Sequence, residues 1–197
     1  MKQEQVTNLL YEALETEQGG ILIYETAISA AVNKELKEEW EEYLSQTHNH
    51  EDILRDVFET MGLDPSKETP GRLVVRKIGE TFVTAIQMAM KAGDRDAAQA
   101  VAAECVVLAE TKDHLNWELI GEVAKKLTGA PGKALKEAHK EVEEQEDEHL
   151  YHTQGWCREL HLELLGLPAV LPPPEEEKDV KTAIGAARAK KARKEML

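Results

Sequence analysis

The chain has 197 residues and a net charge of -14, a length that suits one domain or one domain with a tail. It is rich in Ala, Glu, Lys and Leu and poor in aromatic residues, which favours helices over sheets. An acidic body repels nucleic acid and attracts cations, so nucleic-acid contact falls to the last seventeen residues, which hold six Lys/Arg and one Glu. No apolar run is long enough to cross a membrane, and MKQEQVTNLL lacks the apolar core of a secretion signal, so the cytoplasm is the expected compartment.

The first helix is expected over residues 3–32, with Leu10, Leu14, Ile21, Tyr24, Ile28 and Ala31 at helical spacing. Asn33 caps the second, which carries Leu36, Trp40, Tyr43, Leu54, Val57 and Met61 inward and stops at Gly62. Residues 63–93 form a connection with its own amphipathic helix (Val75, Ile78, Phe82, Ile86), ended by Gly93. The third helix is expected over 95–128, with Val106, Trp117, Ile120 and Ala124 inward. After a short turn of Gly129, Pro131 and Gly132, the fourth runs over 133–165 with Leu135, Val142, Thr153, Trp156 and Leu160 inward. Pro168 and the triple proline 172–174 suggest a stiff extended spacer.

The expected class is therefore all-α: a four-helix bundle over 1–166, a proline-rich acidic linker over 167–180 and a basic helical tail over 181–197. Each short turn makes antiparallel neighbours, while 63–93 is long enough to return along the bundle, giving one crossover. Cys105 and Cys157 form no Cys-x-x-Cys and are expected as reduced, buried thiols. Simple fold-back near residue 130 would set Cys105 opposite residue 152, away from Cys157.

Polar residues interrupt the apolar stripes at one level. Glu17 falls between Leu14 and Ile21, His50 between Tyr43 and Leu54, Glu110 between Val106 and Trp117, and Glu146 and His149 between Val142 and Thr153. Glu17 lies about 16 residues before the turn near residue 33 and His50 about 17 after it, so both sit roughly 24–26 Å from that turn. Glu110 and the Glu146/His149 pair are matched about the turn near 130 in the same way. A charge in a core stripe is costly unless paired or bound to metal. Glu146-x-x-His149 puts both side chains on one helix face, and carboxylate with imidazole suits iron, manganese and also zinc. Tyr24 and Trp117 are core residues placed to support such ligands. His48, His139, His152 and His161 read as surface or packing residues.

Glu17 followed seven residues later by Tyr24, Glu110 with Trp117 at the same spacing, and Glu146-Asp-Glu-His149 together resemble the motifs of ferritin-like proteins. The connection and the stretch GDRDAAQAVAAE are most similar to the small stress-associated bacterial group represented by YciE and YciF. The resemblance covers about residues 3–165. It implies a non-haem di-iron or di-manganese site, iron oxidation or peroxide defence, an oxidase- or peroxidase-like activity, and a homodimer. It also assigns the metal to Glu17, His50, Glu110, Glu146 and His149. One departure stands out: the second helix should read Glu-x-x-His, but Thr47 precedes His50 and Ser45 precedes His48. Glu51, one turn from position 47, is the candidate to compensate. Without it three carboxylates face two divalent ions, so one ion or two is expected. The competing reading is a non-catalytic helical scaffold with a degenerate site, whose basic tail binds a protein partner or a polyanion such as nucleic acid.

Overall fold

The computed structural model describes residues 1–197 and is helical throughout, with no strand. Four long helices form its body: α1 (Gln3–Ala30), α2 (Lys34–Met61), α4 (Arg95–Ala124) and α5 (Gly129–Leu164), with α3 (Pro70–Ala92) between the two pairs. Two short helices, α6 (Pro174–Glu177) and α7 (Ala183–Ala192), and a final 3-10 turn (Arg193–Glu195) follow. No helix is long and apolar enough to cross a membrane.

Local chemistry sets the boundaries. Asn33, Thr69 and Asp94 accept from the backbone N–H of Leu36, Arg72 and Ala97, at the starts of α2, α3 and α4. Gly62 and Gly93 end α2 and α3 with φ of 64° and 92°, a conformation that costs a residue with a Cβ. The α5 helix starts four residues before the expected position, taking in Pro131 and Gly132, because proline is tolerated in a helix's first turn.

The four long helices close a ring in which α1 packs on α2 and α4, and α5 on α2 and α4. Cross-helix bonds give the directions. Gln18 meets Glu51, Trp117 meets Glu17, and Tyr24 meets Glu110, so α2 and α4 both run antiparallel to α1 and hence parallel to each other. The α3 helix carries the chain back, lying against α1 and α4. Its buried Arg72 is fixed by Glu15 Oε2 (2.8 Å), Gln18 Oε1 (3.1 Å) and the Pro65 carbonyl (2.6 Å). Ile78, expected inward, is half exposed, because α3 is covered on one side only.

The first turns of α5 project past the end of α4, as His139 sits on Gly121. Glu104 consequently meets His161 at 3.1 Å, and Cys105 lies near Cys157, not opposite residue 152. Both thiols are free, and burial pushes each up to about 11.

The segment after α5 is no extended spacer. Arg158 holds Glu175 with two bonds of 2.7 and 2.8 Å. Arg193 donates to Glu159 at 2.8 Å, and Lys181 lies 3.4 Å from Glu144 and from Glu148. A basic tail tethered to an acidic body finds its first polyanion there, at the high effective concentration that tethering gives.

The apolar core divides in two. One cluster gathers Tyr24, Trp40, Tyr43, Val106 and Trp156; the other gathers Leu10, Leu14, Phe58, Trp117 and Val142. Between them lies a layer of buried polar side chains.

Candidate metal centre

Glu17 comes from α1, His50 from α2, Glu110 from α4, and Glu146 with His149 from α5. All five are at most 4 % exposed. Ligand atoms of Glu17, His50 and Glu146 lie within 4.8 Å of one another, as do those of Glu110, Glu146 and His149. Glu146 belongs to both groups.

The outward atoms of this cluster are locked by cross-helix bonds. Trp117 Nε1 donates to Glu17 Oε1 (2.8 Å), and Tyr24 Oη donates to Glu110 Oε1 (2.7 Å). Gln145 Oε1 accepts from His50 Nε2 (2.7 Å), and Gln46 Oε1 accepts from His149 Nε2 (2.6 Å). An amide oxygen can only accept, so each imidazole carries a proton on Nε2, and Nδ1 is the atom turned inward.

The inward atoms have no such partners. Glu17 Oε2, Glu110 Oε2, Glu146 Oε2, His50 Nδ1 and His149 Nδ1 are buried without a hydrogen bond. His50 Nδ1 lies 3.0 Å from Glu146 Oε1 and 3.9 Å from Glu17 Oε2. His149 Nδ1 lies 3.6 Å from Glu110 Oε2 and 3.7 Å from Glu146 Oε1. Two donors that each bind one ion at roughly 2.0–2.2 Å stand about 3–4 Å apart. Only the 3.0 Å contact is at hydrogen-bond length; the set as a whole has the spacing of ligands.

Electrostatics point the same way. Burial, then the neighbouring Glu110 and Glu17, hold the Glu146 carboxyl well above the usual range. Burial, then the charge of Asp113, do the same to Glu17, while burial lowers His50. Carboxylates so crowded keep protons, or give them up to a cation.

Asp113 was not among the residues singled out by spacing. It is 5 % exposed on α4, its carboxyl lies close enough to that of Glu17 to share a proton, and its Oδ1 has no hydrogen bond. Burial, then Glu146 and Glu110, raise its carboxyl as well. The Glu110-x-x-Asp113 spacing, a twin of Glu146-x-x-His149, was the signal available for it. The two glutamines had one too, in Gln46-x-x-x-His50 and Gln145-x-x-x-His149.

Glu51 is not brought to the cluster. It accepts from Gln18 (2.9 Å) and Arg55 (2.6 Å) on the outer face, since position 51 points about 100° away from position 50 on a helix. Thr47 is buried in the slot facing the cluster, whereas Ser45 and His48 are exposed, so His50 is the inward histidine. His139 and His161 pair with Glu143 and Glu104. A cavity of about 150 Å³ between α4 and α5, lined by His114, Glu118, His139 and Glu143, reaches Trp117 and Glu146.

No family model, curated protein or solved structure matches the chain. What stands on its own geometry is a buried Glu/His cluster that could hold a metal ion.

Proposed function

We propose that the chain is a metalloprotein of ferritin-like architecture, holding two iron or manganese ions inside its bundle. The observation that carries this reading is the division of atoms in four of the ligands, Glu17, His50, Glu110 and His149. The outward oxygen or nitrogen is hydrogen-bonded to a neighbouring helix, and the inward one is buried, unpartnered and aimed at its counterparts. Such orphans are rare in folded proteins, and six gather here when Asp113 is counted.

Glu17, Asp113 and His50 would hold one ion, Glu110 and His149 the other, with Glu146 shared. Four carboxylates, Glu17, Glu110, Asp113 and Glu146, balance two divalent charges, which supports a pair of ions. Carboxylate-rich ligands with two imidazoles favour iron and manganese, metals that supply one-electron exchange with oxygen or peroxide. Trp117 and Tyr24 fix the two terminal carboxylates, and the two glutamines fix the imidazoles through Nε2, so the ligands need little reorganisation. Protons kept on Glu17, Asp113 and Glu146 leave on loading. The cavity between α4 and α5 admits molecules of the size of oxygen or peroxide.

The test is metal content per chain after anaerobic loading with Fe(II) or Mn(II), in the wild type and in Glu146→Ala. Two ions in the wild-type centre and a large loss in the variant support the reading. Equal, near-zero contents favour the alternative, a helical scaffold whose tail serves a partner.

A further inference from the structure

A second, more open cluster lies outside the buried centre. A cleft of about 380 Å³ runs between α2, α5 and the α6 segment, and seven carboxylates line it, among them Glu35, Glu148 and Asp179. Acidic clefts are common on acidic proteins and mean little alone. This one has a built interior. His152 is 4 % exposed, lines the cleft, and its Nε2 is buried without a partner. On the other side of the ring, Nδ1 lies 3.6 Å from Glu39 Oε1.

Glu39 is held firmly. Tyr43 Oη donates to its Oε1 at 2.7 Å, and Trp156 Nε1 donates to its Oε2 at 2.6 Å. Glu176 of α6 faces the same space, and its Oε2 is also buried and unpartnered. Burial, then the Glu39 carboxylate beside it, push Glu176 up to about 8. Glu39 therefore acts on Nδ1 by charge across 3.6 Å, and the other ring nitrogen is free to take a ligand, the order of carboxylate, histidine and metal found in metal sites.

We propose that this cleft is a second divalent-cation site, in which His152 Nε2 and a Glu176 oxygen bind the ion and Glu39 orients the imidazole through Nδ1. One nitrogen with oxygens suits Mn²⁺, Fe²⁺ or Zn²⁺ over Ca²⁺ or Mg²⁺. Openness to solvent leaves places for water on the ion, so exchange is faster than at the buried centre. Tyr43 lines the cleft and its ring lies 4.1 Å from that of His149, so the two sites are one side chain apart. The closing segment is supplied by the tail, because the Arg158–Glu175 pair fixes α6 on α5.

The site does not depend on the buried centre, and the test separates them. The full chain carrying Glu146→Ala is titrated with Mn²⁺ by calorimetry and by the loss of free-ion EPR signal. One exchangeable ion per chain should remain. Adding His152→Ala or Glu176→Gln should weaken it by about 10–100-fold, and Glu39→Gln by a similar factor through loss of orientation. In an otherwise wild-type chain, His152→Ala should remove one ion and leave the tightly held ions in place. The idea is overturned if Glu146→Ala binds no Mn²⁺, or if its remaining ion is indifferent to His152→Ala and Glu176→Gln alike. Equal tight binding in the wild type and Glu146→Ala would count against the buried centre alone.

Discussion

Replacing Glu146 by Gln changes one atom and should reverse the sign of a stability effect according to whether metal is present. In the metal-free chain Glu146 is 2 % exposed and crowded by Glu110 and Glu17. Without metal this carboxyl must keep a proton that it would lose in water, or else carry a buried charge; the amide does neither, a gain of about 1–4 kcal/mol near neutral pH. At about 2–4 °C per kcal/mol for a chain of this length, a central gain of about 2 kcal/mol raises the melting temperature by about 4–8 °C. With metal the wild type gains instead. An ion present at about 1,000 times its dissociation constant contributes about 4 kcal/mol, or about 8–16 °C. The variant, lacking the shared ligand, should gain far less. Thermal melts by circular dichroism, with EDTA and then with excess Mn(II), should therefore cross: variant above wild type without metal, below it with metal. A metal-free variant that melts lower, together with an equal metal shift in both proteins, would show that protein groups and not an ion satisfy this carboxylate.

The metal-free chain should lose stability as pH rises from 6.5 to 8, by up to about 1.4 kcal/mol per pH unit for each extra proton the native state holds. Glu17, Asp113, Glu146, Glu176 and His152 all have raised values, so the folded state binds more protons there than the unfolded one. His50 is lowered, and its opposing effect acts below about pH 6.5. Urea midpoints at the two pH values measure this slope, and saturating Mn(II) should abolish it. Asp113→Asn should lower loading from two central ions towards one, read by metal analysis with unchanged helicity; unchanged loading would remove Asp113 from the ligand set. Arg158→Ala leaves the buried Glu175 unpaired, at a cost of about 3 kcal/mol, and this should expose Lys178 through Lys194 to trypsin while the bundle's melting temperature stays within about 2 °C.

The five long helices, their order and most of their inward faces were legible because periodicity and end signals agreed along the chain; Ile78 and the short α6 were not. Leu10, Leu14, Trp40, Val106 and Trp156 are buried as their spacing requires. The common level of Glu17, His50, Glu110, Glu146 and His149 was legible too, since helical rise converts residue counts into height. What escaped was lateral detail. Asp113 is three residues from Glu110, but its role depends on Glu17, 96 positions away in sequence and on another helix. Glu51 looked suitable by count along the helix and failed by angle around it. The tail escaped for another reason. Its prolines suggest an extended chain, while Arg158, Glu159, Arg193 and Lys181 decide where it goes, and ion pairs between distant segments leave no periodic trace.

The two hairpins carry the same device twice. Glu17 and Tyr24 on α1 correspond to Glu110 and Trp117 on α4, and Gln46 and His50 on α2 to Gln145 and His149 on α5. Each aromatic residue and each glutamine serves the ligand of the other hairpin, so neither hairpin completes its half alone. The correspondence breaks at two positions, and the breaks offset each other. Thr47 stands where α5 has Glu146, and Gly20 stands where α4 has Asp113. A Cβ at Gly20 would meet the Thr47 methyl at 3.4 Å, so the first hairpin fills this space with small apolar groups. The second hairpin places two carboxylates there, and one of them, Asp113, lies close to the first hairpin's Glu17. The carboxylate that α2 lacks at Thr47 thus has a counterpart on α4 in Asp113, which brings the carboxylates of this layer to four. In the proposed centre the arrangement would be lopsided: Glu17, Glu146 and the nearby Asp113 would serve an ion near His50, while one near His149 would have Glu110 and a share of Glu146. Since affinity for hard cations rises with ligand charge, the ion near His50 should load first and the one near His149 should be the more exchangeable.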